Sequence, residues 1–301
     1  MQHGWVLLHK PPGMSSFRAL RPLKKAYNTK RIGHCGTLDP FADGLLLVAV
    51  GRVTRLLPET QKWHKRYTFK VAWGAFTSTD DLEGDVVETK EHRPTEKEIK
   101  AALPHFCGAI VQKPPAYSAL KVNGRRAYDL ARRGVAFELS PRMQHVYSFK
   151  MLSCERDFGT FDVLCNRGTY IRSLARDLAT QLGTAGHLVA LKRTAIGPFA
   201  LQDSEGVDLF EKKRHNEEEL AHLLRPPQAL LDDIPAVEVD KAMALRLSEG
   251  QSVALGLEAE RAFCLCDERC VAFVRAKDGY LWPRIVFIDY QERNKEDVDD
   301  S

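Results

Sequence analysis

Residues 44–51, GLLLVAVG, form a continuous apolar run closed by a glycine at each end. An uninterrupted run of this length reads as a strand covered on both faces, so the chain must supply structure above and below it. The run follows GHCGTLDPFAD (33–43), in which Asp39 sits among small turn-forming residues just before a strand that cannot use a charge. On its own, Asp39 before Pro40 also fits an Asx turn.

The flanking segments sort by periodicity. RYTFKVAWG (66–74) alternates, with Tyr67, Phe69, Val71 and Trp73 on one side, and predicts a second strand. SSFRALRPLKKAYN (15–28) carries a serine N-cap, Phe17, Leu20, Leu23 and Tyr27 at near-helical spacing, and Arg18, Arg21 and Lys25 on another face. Pro22 falls inside it and is expected to kink the helix or delay its start. Residues 75–150 change texture: an acidic turn (TSTDDLEGD), a capping box from Thr95 to Glu98, a proline-stiffened loop, an Asn-Gly turn and a short basic helix ending at Gly134. This segment reads as an arm inserted in the domain. FDVLCNRGTYIRSLARDLATQLG (161–183) predicts strand, glycine turn and a helix with Leu174, Leu178 and Leu182 inward. From about residue 235, short strand-like segments separated by Gly and Asp turns predict a small β domain. The fold class expected is α/β in the α+β sense, a mixed, mainly antiparallel sheet flanked by helices.

At 301 residues, with 44% hydrophobic and 28% charged residues, the chain has room for one large domain and a small one. No stretch approaches the roughly 18 apolar residues of a membrane span, and the N-terminus shows no targeting pattern, so a cytoplasmic protein is expected. The seven cysteines are scattered and never C-x-x-C, as expected of reduced thiols; CLCDERC (264–270) offers three thiolates and no histidine for a zinc site, so no metal is expected. Residues 1–70 hold 13 Lys and Arg against 3 Asp and Glu, a basic front suited to phosphates, whereas residues 285–301 hold 2 against 6. No dinucleotide-binding glycine motif, phosphate-binding lysine loop, nucleophile-elbow serine or H-E-x-x-H is present. A D-x-D phosphatase signature is also missing, because Asp43 lies four residues after Asp39.

Six ordered segments carry a family resemblance: KPPGMSS (10–16), GHCGTLDPFADGLLLVAVGRVTRL (33–56), KRYTFKVAWG (65–74), PPAYSALKVNGRRAYDLARRG (114–134), NRGTYIRSLARDLATQLG (166–183) and GHLVALKRTAIGPF (186–199). Together they resemble the motif set of the tRNA pseudouridine synthase B family over roughly residues 5–200. The resemblance implies a pseudouridine synthase fold and isomerisation of uridine 55 in the tRNA T arm by a covalent adduct to a carboxylate, without cofactor.

It further implies a flipped-out uridine, with Asp39 as nucleophile, Tyr67 packing against the base and Arg172 pairing with Asp39. Tyr170 and Leu191 would bracket the base, His34 would support the altered loop, and Lys10 would shape the first motif. Cys35 stands where many members carry a small hydroxyl residue. Arg125, Arg126, Arg132 and Arg133 of the arm are expected to contact phosphates. The implied layout is a catalytic domain at 1–233 with the arm at about 75–150, a small RNA-binding-like (PUA-like) β domain at 234–290 and an acidic disordered tail at 291–301. The expected partner is tRNA through its T-arm stem-loop, without a guide RNA or membrane, for a monomer. The same basic surface also permits a non-catalytic RNA-binding or RNA-folding module, or a guide-RNA-dependent relative.

Overall fold

The computed structural model describes residues 3–211, 216–230 and 233–288, so the tail expected at 291–301 lies outside the described residues. Its strands in the first two thirds of the chain are β1 (Gly4–Lys10), β2 (Ile32–His34), β3 (Asp43–Val50), β4 (Lys65–Trp73), β5 (Ala75–Thr77), β6 (Val86–Thr89), β7 (Gly108–Gln112), β8 (Lys121–Val122), β9 (Arg125–Arg126), β10 (Arg142–Cys154), β11 (Phe158–Cys165), β12 (Gly186–Ile196), β13 (Phe199–Ala200) and β14 (Glu205–Gly206). The main sheet runs β14-β1-β3-β12-β4-β11-β10-β7, with β2 added to β3 and β13 to β12. Pairing is antiparallel except for β1 with β14 and β3 with β12.

The apolar run is buried on both sides because both sides of β3 are covered. Leu46, Val48 and Val50 join Val6 and Leu8 of β1 under helix α1 (Ser16–Ala26), through Ala19, Leu20 and Leu23. Leu45, Leu47 and Ala49 join Trp5 and Leu7 against Phe263, Phe273 and Ile285 of a second sheet. That sheet contains β15 (Ala236–Glu238), β16 (Val253–Ala254), β17 (Arg261–Cys266), β18 (Arg269–Lys277) and β19 (Tyr280–Val286), ordered β15-β17-β18-β19-β16. Arg52 Nη1 donating to Val286 O (2.9 Å) and Trp5 Nε1 donating to Pro227 O (3.1 Å) fasten this end of the molecule. Cys264, Cys266 and Cys270 are buried here and pack as small apolar groups.

Pro22 does not break α1. Ser15 Oγ accepts from Arg18 N at 3.2 Å to cap the helix, which continues through Pro22 to Ala26. Proline removes one interior hydrogen bond, to the carbonyl of Arg18, an exposed residue whose carbonyl is within reach of water.

Helix α2 (Glu96–Ala102) has the full capping box, Thr95 Oγ1 accepting from Glu98 N while Glu98 accepts from Thr95 N. Strands β7 and β10, from the 75–150 segment, complete one end of the main sheet. Between them, residues 113–141 carry the β8–β9 hairpin and α3 (Ala127–Arg132) outside that sheet. The hairpin turns at Asn123 (φ 50°) and Gly124 (φ 81°), both left-handed as a two-residue type I′ loop requires. Helix α4 (Ile171–Gln181) buries Leu174 and Leu178 against Phe69, Val71 and Leu188 of the sheet, with Leu182 packed at the margin.

Candidate active site

Asp39 lies on the loop between β2 and β3, and that loop is pinned from three elements. Ser16 Oγ, at the start of α1, accepts from Leu38 N (2.9 Å) and donates to Leu38 O (3.0 Å). Lys10 Nζ, at the end of β1, donates to the carbonyls of Pro11 (2.8 Å), Met14 (2.8 Å) and Pro40 (3.3 Å), tying the KPPGM turn to the residue after Asp39. Arg193 of β12 donates from Nε to Leu45 O (2.8 Å) and from Nη2 to Gly36 O (3.0 Å). Lys10 is fully buried, and that burial lowers its pKa to about 8 although Asp43 and Asp39 pull the other way.

Arg172 is the second residue of α4 and reaches Asp39 with Nε 3.0 Å from Oδ2. The Nε–H is not aimed at that oxygen, so this contact is one of charge; the directed bond runs from Nη2 to Oδ1 at 3.3 Å. A cation in the first turn opposes the helix macrodipole. Two carboxylates offset the cost, because Asp81 Oδ2 lies 3.5 Å from Arg172 Nη1. The rest of the guanidinium is held by backbone, with Nη1 donating to Thr79 O (3.0 Å) and Nη2 to Tyr117 O (2.8 Å). The acidic turn and the segment carrying Tyr117 thus both touch the Arg172 guanidinium.

Asp39 keeps 32% of its side chain exposed, yet protein crowds the carboxyl closely. Burial pushes its pKa above the ordinary carboxylate range, Arg172 pulls it back, and Asp81 adds a further upward push. Asp39 is thus a crowded carboxyl with a close cationic partner and part of its surface exposed, an arrangement able to serve nucleophilic catalysis.

Around it, Tyr67 and Leu191 project from β4 and β12 into one apolar cluster with Leu38 and Phe41. Tyr67 is buried, and burial raises its phenol to about 12, with Arg193 opposing. Tyr170 caps α4, its backbone N–H donating to Gln112 Oε1 (2.8 Å) while Gln112 Nε2 donates back to Tyr170 O (3.0 Å). His34, half-buried at the end of β2, has its pKa lowered to about 4 by burial and then by the nearby Arg193 and Lys65. The structure therefore brings Asp39, Arg172, Tyr67, Leu191, Tyr170, His34 and Lys10 around one loop. Arg125, Arg126, Arg132 and Arg133 are exposed on the arm, and no contact links them to Asp39 among the described residues.

Three residues escape the sequence reading: Asp81, Arg193 and Lys65. Asp81 is concealed within an acidic turn whose fold is set by long-range contacts. For the other two a signal exists. Period-two alternation puts Arg193 on the face of Leu191, and Lys65 on that of Tyr67, which makes each a buried cation.

Comparison with known proteins places this architecture among the pseudouridylate synthases. The model of the TruB family pseudouridylate synthase N-terminal domain matches residues 24–171, and that of the tRNA pseudouridylate synthase B C-terminal domain matches residues 172–232. The tRNA pseudouridine synthase B of Bradyrhizobium diazoefficiens is 44% identical over 95% of this chain and 86% of its own length. That of Paracoccus denitrificans is 40% identical over 95% and 96%. Among solved structures, a Cbf5-Nop10-Gar1 complex contains a chain similar at a TM-score of 0.68 and 25% identity, covering 96% of this chain and 86% of that one. The chain belongs to the TruB family of pseudouridylate synthases.

Proposed function

We propose that this chain isomerises uridine to pseudouridine in the T arm of tRNA, at position 55, with Asp39 forming the transient bond to an extruded uridine. The observation that carries this reading is the Asp39–Arg172 pair, 3.0 Å apart, with Tyr67 and Tyr170 near enough to feel the Asp39 charge and Leu191 in one apolar cluster with Tyr67. The names of the bacterial relatives supply the reaction and the tRNA. Converting uridine to pseudouridine breaks the N1–C1′ bond, makes a C5–C1′ bond and releases the C5 proton, so it needs a nucleophile that bonds transiently to the substrate and leaves again, a surface that holds the detached uracil, and a proton acceptor for C5. Asp39 is assigned the first role, the apolar bracket the second and the Tyr67 hydroxyl the third. Arg172 keeps Asp39 ionised and aimed through the cycle.

The exposed arginines of the arm and the basic front of the chain supply phosphate contacts that position the stem. The domain limits proposed are a catalytic unit to residue 233 with this arm inserted, followed by an RNA-binding-like unit. The enzyme is proposed to act alone, as a cytoplasmic monomer without guide RNA; among the described residues no helix is long and apolar enough to cross a membrane. The test is release of tritium from C5-labelled uridine in a bare T-arm stem-loop by the purified protein. Release without any added RNA or protein supports the reading, and none under single-turnover conditions overturns it.

A further inference from the structure

Two buried lysines approach the Asp39 loop, and they are treated oppositely by the fold. Lys10 spends its ammonium on three backbone carbonyls. Lys65, at the start of β4, is 6% exposed, yet among the described residues its ammonium has neither a hydrogen-bond acceptor nor a carboxylate. Its charged neighbours are cations, Arg193 and Arg167, and the other groups facing it are the thiols of Cys35 and Cys165. His34 lies against the same two cations, Lys65 and Arg193, and its buried Nδ1 also has no partner. Lys65 is buried along its stem, but its ammonium keeps contact with solvent and, set among cations with no protein acceptor to neutralise it, is placed to take an anion from outside.

The ammonium packs against a glycine of the Asp39 loop. Gly36 has φ +81°, and a Cβ there would stand 2.6 Å from Lys65 Nζ and 3.6 Å from Arg193 Nη1. Two cations therefore face the one place on the loop where no side chain exists. The polarity also divides the site: Asp39 and Asp81 cluster on Arg172, and the Lys65 side is positive. Lys65 and Tyr67 are two residues apart on the same face of β4, about 7 Å along the strand. That is the scale of the distance from a nucleobase to its own backbone phosphate.

We propose that Lys65, with Arg193 behind it and His34 beside it, forms the subsite for an RNA backbone phosphate next to the nucleotide that enters the Asp39 pocket. The proposal rests on the RNA-uridine reading above and adds a residue that holds the reacting nucleotide by its backbone. The ligand is a phosphodiester because it is the anion every RNA substrate brings to this depth, and it supplies the acceptors that Lys65 lacks. Closing the site on RNA then neutralises a charge that the free protein carries unpaired.

The experiment uses the full chain and its Lys65→Met and Lys65→Arg variants, with unmodified tRNA transcript as probe. Filter binding across a salt series gives the slope of log K against log salt, and thermal unfolding gives stability. Losing one phosphate contact lowers the slope by about 0.7–0.9 and weakens binding roughly three- to tenfold at low salt. Lys65→Met should show both losses while unfolding at the wild-type temperature or above, and Lys65→Arg should keep the wild-type slope. A Lys65→Met protein with wild-type slope and affinity overturns the subsite, and one that unfolds well below wild type overturns the premise that the ammonium is unsatisfied. Failure of the wild type to bind the transcript at all would instead strike the functional reading itself.

Discussion

Arg172 meets Asp39 from the second position of a helix, with Nε 3.0 Å from Oδ2 and Nη2 3.3 Å from Oδ1, where the helix dipole disfavours a cation. The same guanidinium spans Asp81, the carbonyl of Thr79 and the carbonyl of Tyr117. It is the point where the Asp39 loop, the acidic turn and the segment carrying Tyr117 join.

Replacing Arg172 should change the pH dependence as well as the rate. Burial raises the Asp39 pKa and Arg172 opposes it, so Arg172→Met lets it climb further. In the mechanism proposed above the ionised carboxylate is the active form, so activity should be lost as pH falls through that pKa. In Arg172→Met the acid limb of the single-turnover rate should therefore move to higher pH, with a fall of about 10²–10³ in the plateau. Arg172→Lys keeps the charge but not the fork and should recover only part of the rate. An unmoved acid limb in Arg172→Met would contradict the pairing.

Tyr67→Phe keeps the ring in the core and removes the hydroxyl. With the phenol raised to about 12, the phenolate is scarce at neutral pH, so any proton transfer to it must be coupled to Arg193 or to the substrate. The variant should bind tRNA within about twofold of wild type and lose turnover, and Tyr67→Ala should lose binding of the flipped base as well. Stopped-flow binding with single-turnover kinetics separates the two effects.

Gly36→Ala tests the packing of the loop. The left-handed φ of +81° and a Cβ 2.6 Å from Lys65 Nζ both oppose a side chain. A loss of about 1–2 kcal/mol in unfolding free energy is expected, with a larger fall in kcat than in tRNA affinity. Denaturant unfolding beside steady-state kinetics would show it.

The architecture was legible where a local rule had a local cause. The GLLLVAVG run announced a strand buried on both faces, and β3 is sandwiched between α1 and the second sheet. The alternation of 66–74, the capping box at Thr95 and the Asn-Gly turn each match an element. Pro22 does not delay the helix, which starts at Ser16 and runs on to Ala26, because a proline there removes a hydrogen bond without stopping the chain. At the site, the motif residues were legible through family resemblance. Asp81 was not, since an acidic turn looks solvated until the fold lays it against Arg172. Arg193 and Lys65 were hidden by their charge, which reads as surface although strand alternation points both inward.

Arm contacts should behave as phosphate contacts. Arg132 lies over the ring of Tyr128 at 4.7 Å, and Arg125, Arg126 and Arg133 are exposed nearby. Reversing two of them to Glu should weaken tRNA binding at least tenfold, flatten its salt dependence by about one unit of slope per lost contact, and leave the saturating rate close to wild type. Titration at several salt concentrations checks this, and an unchanged slope would remove the arm from the RNA surface.

The most direct test of the central claim compares wild type with Asp39→Asn on a T-arm hairpin carrying tritium at C5 of the target uridine. Wild type is expected to release the label in one turnover, and Asp39→Asn to bind the hairpin with near wild-type affinity and release none. Pseudouridine formation by Asp39→Asn at the wild-type rate would contradict the account.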